Sequence, residues 1–245
     1  GKRVLAAEKD ILEVKNAIEV YKQINSFNYL KIDSLLKTHK LLMKGLIGNA
    51  GNFRTKNIGI VKGSIIEHLA PNSKLVKGLV NTLFDYLKND EELILIKSCV
   101  FHYEFEFIHP FSDGNGRMGR LWQNLILMSE YPVFEFLPIE SMIKRNQENY
   151  YSSLASSDNI GHSTPFIEFM LKMINQSLEE LLELKTGQLT TEKRIQIFKD
   201  KQGSQTFKRK DYLVNFKTIS QATASRDLKW AVDKNLLIKT GDKRN

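Results

Sequence analysis

The chain has 245 residues, 42% of them hydrophobic and 26% charged, and it carries a formal net charge of +8. This composition is typical of a globular protein with a sizeable core, arranged as one large domain or as one medium and one small domain. Cys99 is its single cysteine, which excludes an internal disulfide and a zinc site built on several thiolates. No apolar run approaches the roughly 20 residues that cross a bilayer, and the charged N-terminal segment lacks an apolar signal core, so we expect a cytoplasmic protein with no membrane partner.

The excess positive charge lies in the last quarter of the chain. Residues 188–245 carry 14 Lys/Arg and 6 Asp/Glu, whereas the 22 basic and 22 acidic residues of 1–187 balance. A basic terminal segment is typical of proteins that bind nucleic acid or another polyanion, although a solvated basic face would give the same composition.

Periodic apolar residues predict a chain that is mostly helical. Residues 11–21 and 35–42 show the spacing of two helices, and "NIGIVKGSIIEHLAP" then predicts a two-stranded hairpin because it is β-branched and punctuated by glycines. Further helical patterns begin near Ser73, Glu91, Gly116, Ser141 and Thr164. The polar stretch at residues 185–190 predicts a domain edge, so we divide the chain into 1–186 and 187–245.

A segment of twelve residues, "HPFSDGNGRMGR" from His109 to Arg120, concentrates the chemistry of the chain. Gly114 and Gly116 flank Asn115, which tolerates positive φ, so successive backbone N–H groups can point into one concavity and bind an anion. An apolar helical pattern begins directly afterwards. This places the concavity at the positive end of a helix, where phosphate is favoured.

Charged side chains in the same segment complete a site for polyphosphate. Arg117 and Arg120 lie one turn apart and would add forked donors for phosphate oxygens. Asp113 beside a polyphosphate is a natural ligand for magnesium, which accepts one or two carboxylates together with phosphate oxygens. His109 would then take a proton from an attacking hydroxyl while the cations neutralise charge on phosphorus.

Other residues of these types have an ordinary explanation. The remaining histidines lack such neighbours, and a run of Phe and Met residues recurs at helical spacing. We therefore expect these residues to lie in the core: His39, His102, His162, Phe166, Phe169, Met170 and Met173. Ile108 and Phe111 are expected to anchor the loop that contains Pro110.

The twelve-residue segment is similar to the signature HxFx(D/E)GNGRxxR of the Fic family. It agrees at every specified position: His109, Phe111, Asp113, Gly114, Asn115, Gly116, Arg117 and Arg120. "GNFRTKNIGI" with "HLAP" resembles the family's flap region, and "NQENYYSSL" resembles the segment after the active-site helix. The resemblance covers residues 8–180 and implies a mostly helical Fic fold that transfers AMP from ATP to a hydroxyl of a protein.

The resemblance implies a role for each residue of the segment. His109 would be the general base, Asp113 the magnesium ligand, and the Gly114–Gly116 backbone the cradle of the α- and β-phosphates. Arg117 would hold the β- or γ-phosphate, and Arg120 would face the γ-phosphate or an inhibitory glutamate. The implied cofactors are Mg²⁺ and ATP as the AMP donor, and the implied partner is an unidentified protein that supplies a Ser, Thr or Tyr, or this chain itself.

Two further groups are assigned by the resemblance. The hairpin would align the target segment by strand addition, which positions a hydroxyl without demanding a sequence. Its residues are Lys62, Gly63, Ser64, Ile65, Ile66 and Glu67. Tyr150 and Tyr151 would flank the adenine, although packing on a helix explains them equally well.

Many members of this family carry an inhibitory helix with the pattern (S/T)xxxE(G/N), whose glutamate pairs with the second arginine of the signature. No such pattern occurs in the 245 residues. Because "GKRVLAAEKDILEVKNAIEVYKQI" resembles the segment that follows such a helix, we expect the natural protein to begin further upstream and to carry the helix there.

The basic C-terminal segment predicts a helix capped by Ser220, followed by a short strand at 236–241. This is the order of a winged helix, and "TASRDL" resembles the recognition helix of winged helix-turn-helix domains that follow some Fic domains. Leu228, Val232 and Leu236 would face inward. The residues expected to be exposed and to contact DNA are Thr223, Ser225, Arg226 and Lys229. Protein contacts or dimerisation are the alternative use of this module.

Taken together, these patterns predict a mainly α protein: a helical Fic fold with a β-hairpin flap, followed by a C-terminal winged-helix domain. The expected function is that of a Fic-type protein adenylyltransferase. Two alternatives stay open, namely removal of AMP with water as the nucleophile and a DNA-binding regulator whose Fic pocket only senses a nucleotide. A homodimer, common among such domains, is also open.

Overall fold

The computed structural model describes residues 7–62, 65–137, 139–186, 189–203 and 205–240, and the predicted predominance of helix is confirmed. The chain divides into two compact units, Gly1–Ser177 and Leu178–Asn245. The helices of the first unit are α1 (Glu8–Lys22), α2 (Ile32–Leu42), α3 (Val76–Asn89), α4 (Ile94–Ile108), α5 (Asn115–Met128), α6 (Ile139–Arg145), α7 (Gln147–Ile160) and α8 (Thr164–Thr186), within which the division falls. None of the described helices is long and apolar enough to cross a bilayer.

Helix α4 is the central helix of the first unit. Nine of its 15 residues are buried, which agrees with an apolar sequence on every face. Helices α3 and α5 pack against it, around Phe84, Phe101 and Trp122. The approach of α5 is close because Gly119 has no side chain: an added Cβ would lie 2.8 Å from Glu106 Oε1.

Between α2 and α3 the chain forms an antiparallel hairpin of β1 (Gly59–Lys62) and β2 (Ile65–Leu69). Lys62 lies opposite Ile65, and the register shifts between Ile60 and Val61, so that Glu67 is an additional residue of β2, as in a β-bulge. Of the residues expected to align a target, Lys62 ends β1 and Ile65, Ile66 and Glu67 lie in β2. Gly63 and Ser64 lie outside the described residues.

The second unit contains α9 (Thr191–Gln202), α10 (Arg209–Asn215) and α11 (Gln221–Asp233). A buried ion pair connects α9 to α11, since Arg194 Nε lies 2.7 Å from Asp227 Oδ2. Tyr212 of α10 donates to the same carboxylate at 3.0 Å. Ser220 caps α11 as predicted, accepting from Thr223 N at 3.1 Å. One carboxylate thus fixes the three helices relative to one another.

Three parts of the C-terminal prediction are wrong. Residues 236–240 form bends and irregular backbone instead of a strand, and position 241 lies outside the described residues. A short strand needs a partner, and the described residues of this unit contain no other strand that could pair with it. Leu236 is 38% exposed, so its predicted inward position is wrong, and Val232 is only half-buried. Leu228 does pack against the core of this unit, beside the buried Ala224 and Ala231.

The third correction concerns the residues expected to contact DNA. Thr223 and Ser225 are half-buried, whereas Arg226 and Lys229 are exposed. The Ser225 hydroxyl donates to the Gln221 carbonyl, as hydroxyls in a helix often do, so it points back along α11.

Candidate functional site

The predicted phosphate segment forms the loop between α4 and α5 together with the first turn of α5. Helix α4 ends at Ile108, because His109 adopts a left-handed conformation with φ of 49° and Pro110 does not continue the helix. Ile108 and Phe111 are buried as predicted, at 3% and 0% exposure. The loop is therefore anchored in the core by a buried residue on each side of Pro110.

Asn115 closes this loop with its side chain. Its Oδ1 accepts from Phe111 N at 2.8 Å and its Nδ2 donates to Phe111 O at 2.9 Å. Asn115 is itself helical, so the prediction that it would help to shape the loop by positive φ is wrong. Gly114 supplies the positive φ, at 86°, and an added Cβ there would lie 2.7 Å from Met43 Sδ.

His39 supports the loop from α2. Its Nδ1 accepts from Gly51 N at 2.9 Å, so Nε2 carries the proton of the neutral ring and donates to Asp113 O at 3.0 Å. The ring stacks on Phe111 with centroids 3.6 Å apart. Burial lowers the pKa of His39, which keeps the ring neutral. The expected core position is confirmed, but the contact with Asp113 was missed, since no local signal joins residues 74 positions apart.

The N-terminal end of α5 is open to an anion. No side chain among the described residues caps it, and the N–H groups of its first turn have no carbonyl partner within the helix. Arg117 lies beside this end: its Nη1 is 3.4 Å from Glu13 Oε2 of α1 and its Nη2 is 3.8 Å from Asp113 Oδ1. Nη1 is buried and has no hydrogen bond among the described residues, so the ion pair with Glu13 is what holds the guanidinium beside the helix end.

Arg120 is held by a carboxylate of α6. Its Nε donates to Glu140 Oε2 at 2.7 Å, with 19% of the Arg120 side chain and 53% of the Glu140 side chain exposed. Burial alone would lower the pKa of Arg120, but the Glu140 carboxylate outweighs it and raises that pKa. Sequence reasoning expected an acidic partner for Arg120 from upstream and missed this one, which lies 20 residues downstream.

His109 lies at the other end of the same loop, half-buried. Its Nδ1 is 3.3 Å from the carbonyl of Glu106, which can only accept. With the proton on Nδ1, Nε2 of the neutral ring holds the lone pair. The neutral imidazole can therefore accept a proton at Nε2.

The Asp113 carboxylate fits the role of a ligand to a magnesium ion that is bound together with a polyphosphate. Asp113 Oδ1 accepts from Gly114 N at 2.6 Å, and 51% of its side chain is exposed. In the part of the chain that the structure describes, no group of three or more His, Cys, Asp or Glu could hold a metal by itself. A single exposed carboxylate suits Mg²⁺, which takes its other ligands from phosphate oxygens and water.

A buried polar cluster lies behind the loop, between α4, α5 and α7. His102 donates from Nδ1 to Gln123 Oε1 at 2.7 Å and accepts at Nε2 from Tyr150 Oη at 3.1 Å. Burial lowers the pKa of His102 to about 3 and raises that of Glu106 to about 7. Glu106 Oε1 has no hydrogen-bond partner among the described residues. The predicted core position of His102 is confirmed.

The two tyrosines expected at the adenine differ in how far they are buried. Tyr150 is 2% exposed and bonded to His102, which favours the packing interpretation that its sequence left open. Tyr151 is 44% exposed and can meet a ligand. His162 is exposed, so its predicted core position is wrong; it lies in the turn between α7 and α8, just after Gly161, where side chains project outward.

Comparisons with known proteins bear on the family of the chain. A model of the Fic/DOC family matches residues 29–127. The crystal structure of a Fic family protein from Desulfovibrio desulfuricans G20 is similar with a TM-score of 0.73 and 38% sequence identity, covering 96% of this chain and 71% of that one.

Curated proteins that are similar to this chain in sequence are named protein adenylyltransferases. Protein adenylyltransferase fic-1 of Caenorhabditis elegans is 29% identical over 158 residues, which cover 62% of this chain and 29% of the relative. A probable protein adenylyltransferase of Aquifex aeolicus is 36% identical over 89 residues, which cover 36% of this chain and 26% of the relative. The chain thus spans less than a third of the length of these relatives. The chain belongs to the Fic/DOC family, because it has the helical fold, carries the complete signature at the α4–α5 loop and is similar to the Desulfovibrio protein.

Proposed function

We propose that this chain is a protein adenylyltransferase, which transfers AMP from ATP to a Ser, Thr or Tyr hydroxyl of a protein, including its own. The observation that carries the proposal is the placement of an imidazole at one end of a closed loop and an open helix end with two arginines at the other. The names of the curated relatives support the same activity.

In this proposal the α5 end binds the triphosphate. The N–H groups of the first turn and the helix dipole attract the α- and β-phosphates. Arg117 would exchange the Glu13 carboxylate for a phosphate oxygen, and Arg120 would turn from Glu140 toward the terminal phosphate. Mg²⁺ held by Asp113 would neutralise charge on the phosphates when bound.

His109 performs the proton transfer. Its Nε2 removes the proton of the acceptor hydroxyl as that oxygen forms a bond to the α-phosphorus of ATP. The bond from the α-phosphorus to the bridging oxygen breaks, and pyrophosphate leaves with both electrons of that bond. The two arginines stabilise the charge that develops on the leaving group.

The hairpin would present the acceptor. A sheet edge offers backbone N–H and C=O groups to an extended segment, which aligns a hydroxyl by main-chain pairing. Backbone positions Lys62 and Ile65–Glu67 lie on this hairpin, beside the proposed edge for target binding. On the nucleotide side, the exposed Tyr151 is the proposed contact for adenine.

Labelled ATP tests the proposal. The protein alone, and then with a cell lysate, is incubated with Mg²⁺ and ATP labelled on either the α- or the γ-phosphate. Only the α-label should become protein-bound. His109→Ala should lower the rate about 10²–10⁴-fold and leave the dissociation constant of Mg-ATP nearly unchanged, because the base acts in the transition state. Transfer at the parental rate by the variant would refute the assignment, and release of AMP from modified protein, followed in parallel, would indicate the reverse reaction.

The second unit supports a second candidate activity, binding to DNA. Helices α10 and α11 are joined by a short turn, as in a helix-turn-helix, and α11 exposes Arg226 and Lys229 in a segment with 14 basic and 6 acidic residues. Gel shifts with random duplex DNA at about 50 and about 200 mM salt should show weaker binding at the higher salt. The double variant Arg226→Ala/Lys229→Ala should reduce that salt dependence, and unchanged binding would remove the candidate.

A further inference from the structure

We infer that Arg54 is a positioning residue, which holds His109 and both ends of the hairpin in one frame. The inference rests on the proposed function, in which His109 accepts the proton and the hairpin aligns the hydroxyl. Arg54 is 3% exposed and lies between α2 and β1, outside the signature.

Arg54 binds the C-terminal end of α4. Its Nε donates to His109 O at 2.8 Å and its Nη2 to Ile108 O at 3.2 Å. Its main-chain N–H donates to Pro110 O at 2.9 Å. The last carbonyls of a helix have no partner within it and carry partial negative charge. A buried guanidinium stabilises them both by donating hydrogen bonds and by the attraction of its positive charge. Three consecutive carbonyls around His109 are thus fixed by one residue.

The same guanidinium binds the base of the hairpin. Nη1 donates to Lys56 O at 2.9 Å, just before β1, and Nη2 donates to Pro71 O at 2.6 Å, just after β2. Ser73 N donates to Asn57 Oδ1 at 2.9 Å, which joins the two ends a second time. Four carbonyls from three parts of the chain therefore meet on one planar group.

A lysine could not reproduce this arrangement. Guanidinium presents five N–H donors in a rigid fork, whereas an ammonium is a point charge with three donors on a flexible stem. The left-handed φ of His109, 49°, is a conformation that persists only where surrounding contacts impose it. Arg54 supplies two of those contacts, on His109 itself and on Ile108 before it.

The consequence is a separation of roles between the two sides of the site. The groups proposed to bind phosphate belong to the Asp113 to Arg120 segment, whereas the four carbonyls that accept from the Arg54 guanidinium lie at the end of α4 and at the base of the hairpin. Loosening Arg54 should therefore misplace the base relative to the acceptor while leaving nucleotide binding intact. A misplacement of about 1 Å can lower a rate about 10²-fold.

Kinetics of Arg54→Lys form the first arm of the test, with Arg145→Lys at an exposed arginine of α6 as the matched control. We expect kcat for AMP transfer to fall about 10²-fold in Arg54→Lys, with the KM for ATP and the dissociation constant of Mg-ATP within about twofold of the parent. The control should behave like the parent. An unchanged kcat in a folded Arg54→Lys protein, or an equal loss of nucleotide binding and rate, would overturn the inference.

Native-state amide hydrogen exchange of the unaltered protein forms the second arm and needs neither activity nor a folded variant. Amides bonded at the hairpin base, such as Ser73 N, and at the end of α4, such as His109 N, should open with one common free energy as denaturant is raised. Separate opening free energies would overturn the inference. If the parent protein transfers no AMP, the proposed function fails, and this arm still tests whether the two segments that Arg54 contacts open as one unit.

Discussion

Gly114→Ala tests how the phosphate loop is built. The φ of Gly114 is 86°, and an added Cβ would lie 2.7 Å from Met43 Sδ, a side chain that is fully buried. The left-handed backbone costs a residue with a Cβ about 1–2 kcal/mol, and overpacking typically adds about 1–3 kcal/mol. We therefore expect the free energy of unfolding of the first unit to fall by about 2–5 kcal/mol.

Two other glycines separate these contributions. Gly161 has a φ of 75°, and no atom of the described residues lies within 4 Å of an added Cβ, so Gly161→Ala should cost only the backbone part, about 1–2 kcal/mol. Gly78 lies within α3, where the described part of the chain also places nothing within 4 Å of an added Cβ, and Gly78→Ala should stabilise by about 0.5–1 kcal/mol.

Urea unfolding followed by tryptophan fluorescence measures these changes. The chain has 2 tryptophans, of which Trp122 is buried in the first unit and Trp230 lies in the second, so a Trp230→Phe background makes Trp122 the reporter of the first unit. Equal costs for Gly114→Ala and Gly161→Ala would refute the contact with Met43. A cost below that of Gly161→Ala would refute the need for positive φ at the loop.

Two further predictions concern charge. Glu140→Gln should tighten Mg-ATP binding by up to about fivefold in titration calorimetry, because it frees Arg120 from a partly exposed pair worth about 0.2–1 kcal/mol, whereas weaker binding would mean that Glu140 orients Arg120. Glu106→Gln should change the pH dependence of stability: Glu106 keeps its proton up to a pKa of about 7 when folded, against 4.5 ordinarily, so its contribution falls as pH rises from 4.5 through about 7. Neutral His102, with a pKa of about 3 against 6.5, has the opposite slope up to pH 6.5, so the two offset each other from 4.5 to 6.5. Without Glu106, unfolding free energy should fall on acidification below pH 6.5 by up to about 1.4 kcal/mol per pH unit, and a slope equal to that of the parent would contradict this.

The parts of the site that are local in sequence were predictable. Pro110 and Gly114 end one helix and begin another, and the apolar pattern around Met118 and Trp122 follows at once, so the open helix end could be placed from the residues alone. The buried positions of Ile108 and Phe111 follow from the same local pattern.

The side chains that support the site were not predictable. His39 reaches Asp113 across 74 positions and Arg54 reaches His109 across 55. Each is a single polar residue within an ordinary helical or loop sequence, and only tertiary packing brings it to its partner. The contacts of Glu13 and Glu140 with the two arginines were also not predictable, because a single acidic residue on a helix is usually exposed to solvent.

In the C-terminal unit, periodicity identified α11 and the inward position of Leu228, but it missed other inward residues of this helix. Ala224 and Ala231 are buried, and Asp227, of a residue type that is rarely buried unless paired, is buried and bonded to Arg194 and Tyr212. A hydrophobicity pattern assigns a charged residue to the surface even where a buried partner pairs with it in the core.

The Asn115 side chain makes two hydrogen bonds to the backbone of Phe111, and the His39 ring stacks on the Phe111 ring, so contacts within the protein fix the curve of the loop. A triphosphate would meet a loop whose backbone is already held in place, so that backbone would lose little conformational entropy on binding. Discrimination among nucleotides should then depend on the outermost phosphate and its electrostatic neighbours, and only weakly on any ordering of the protein.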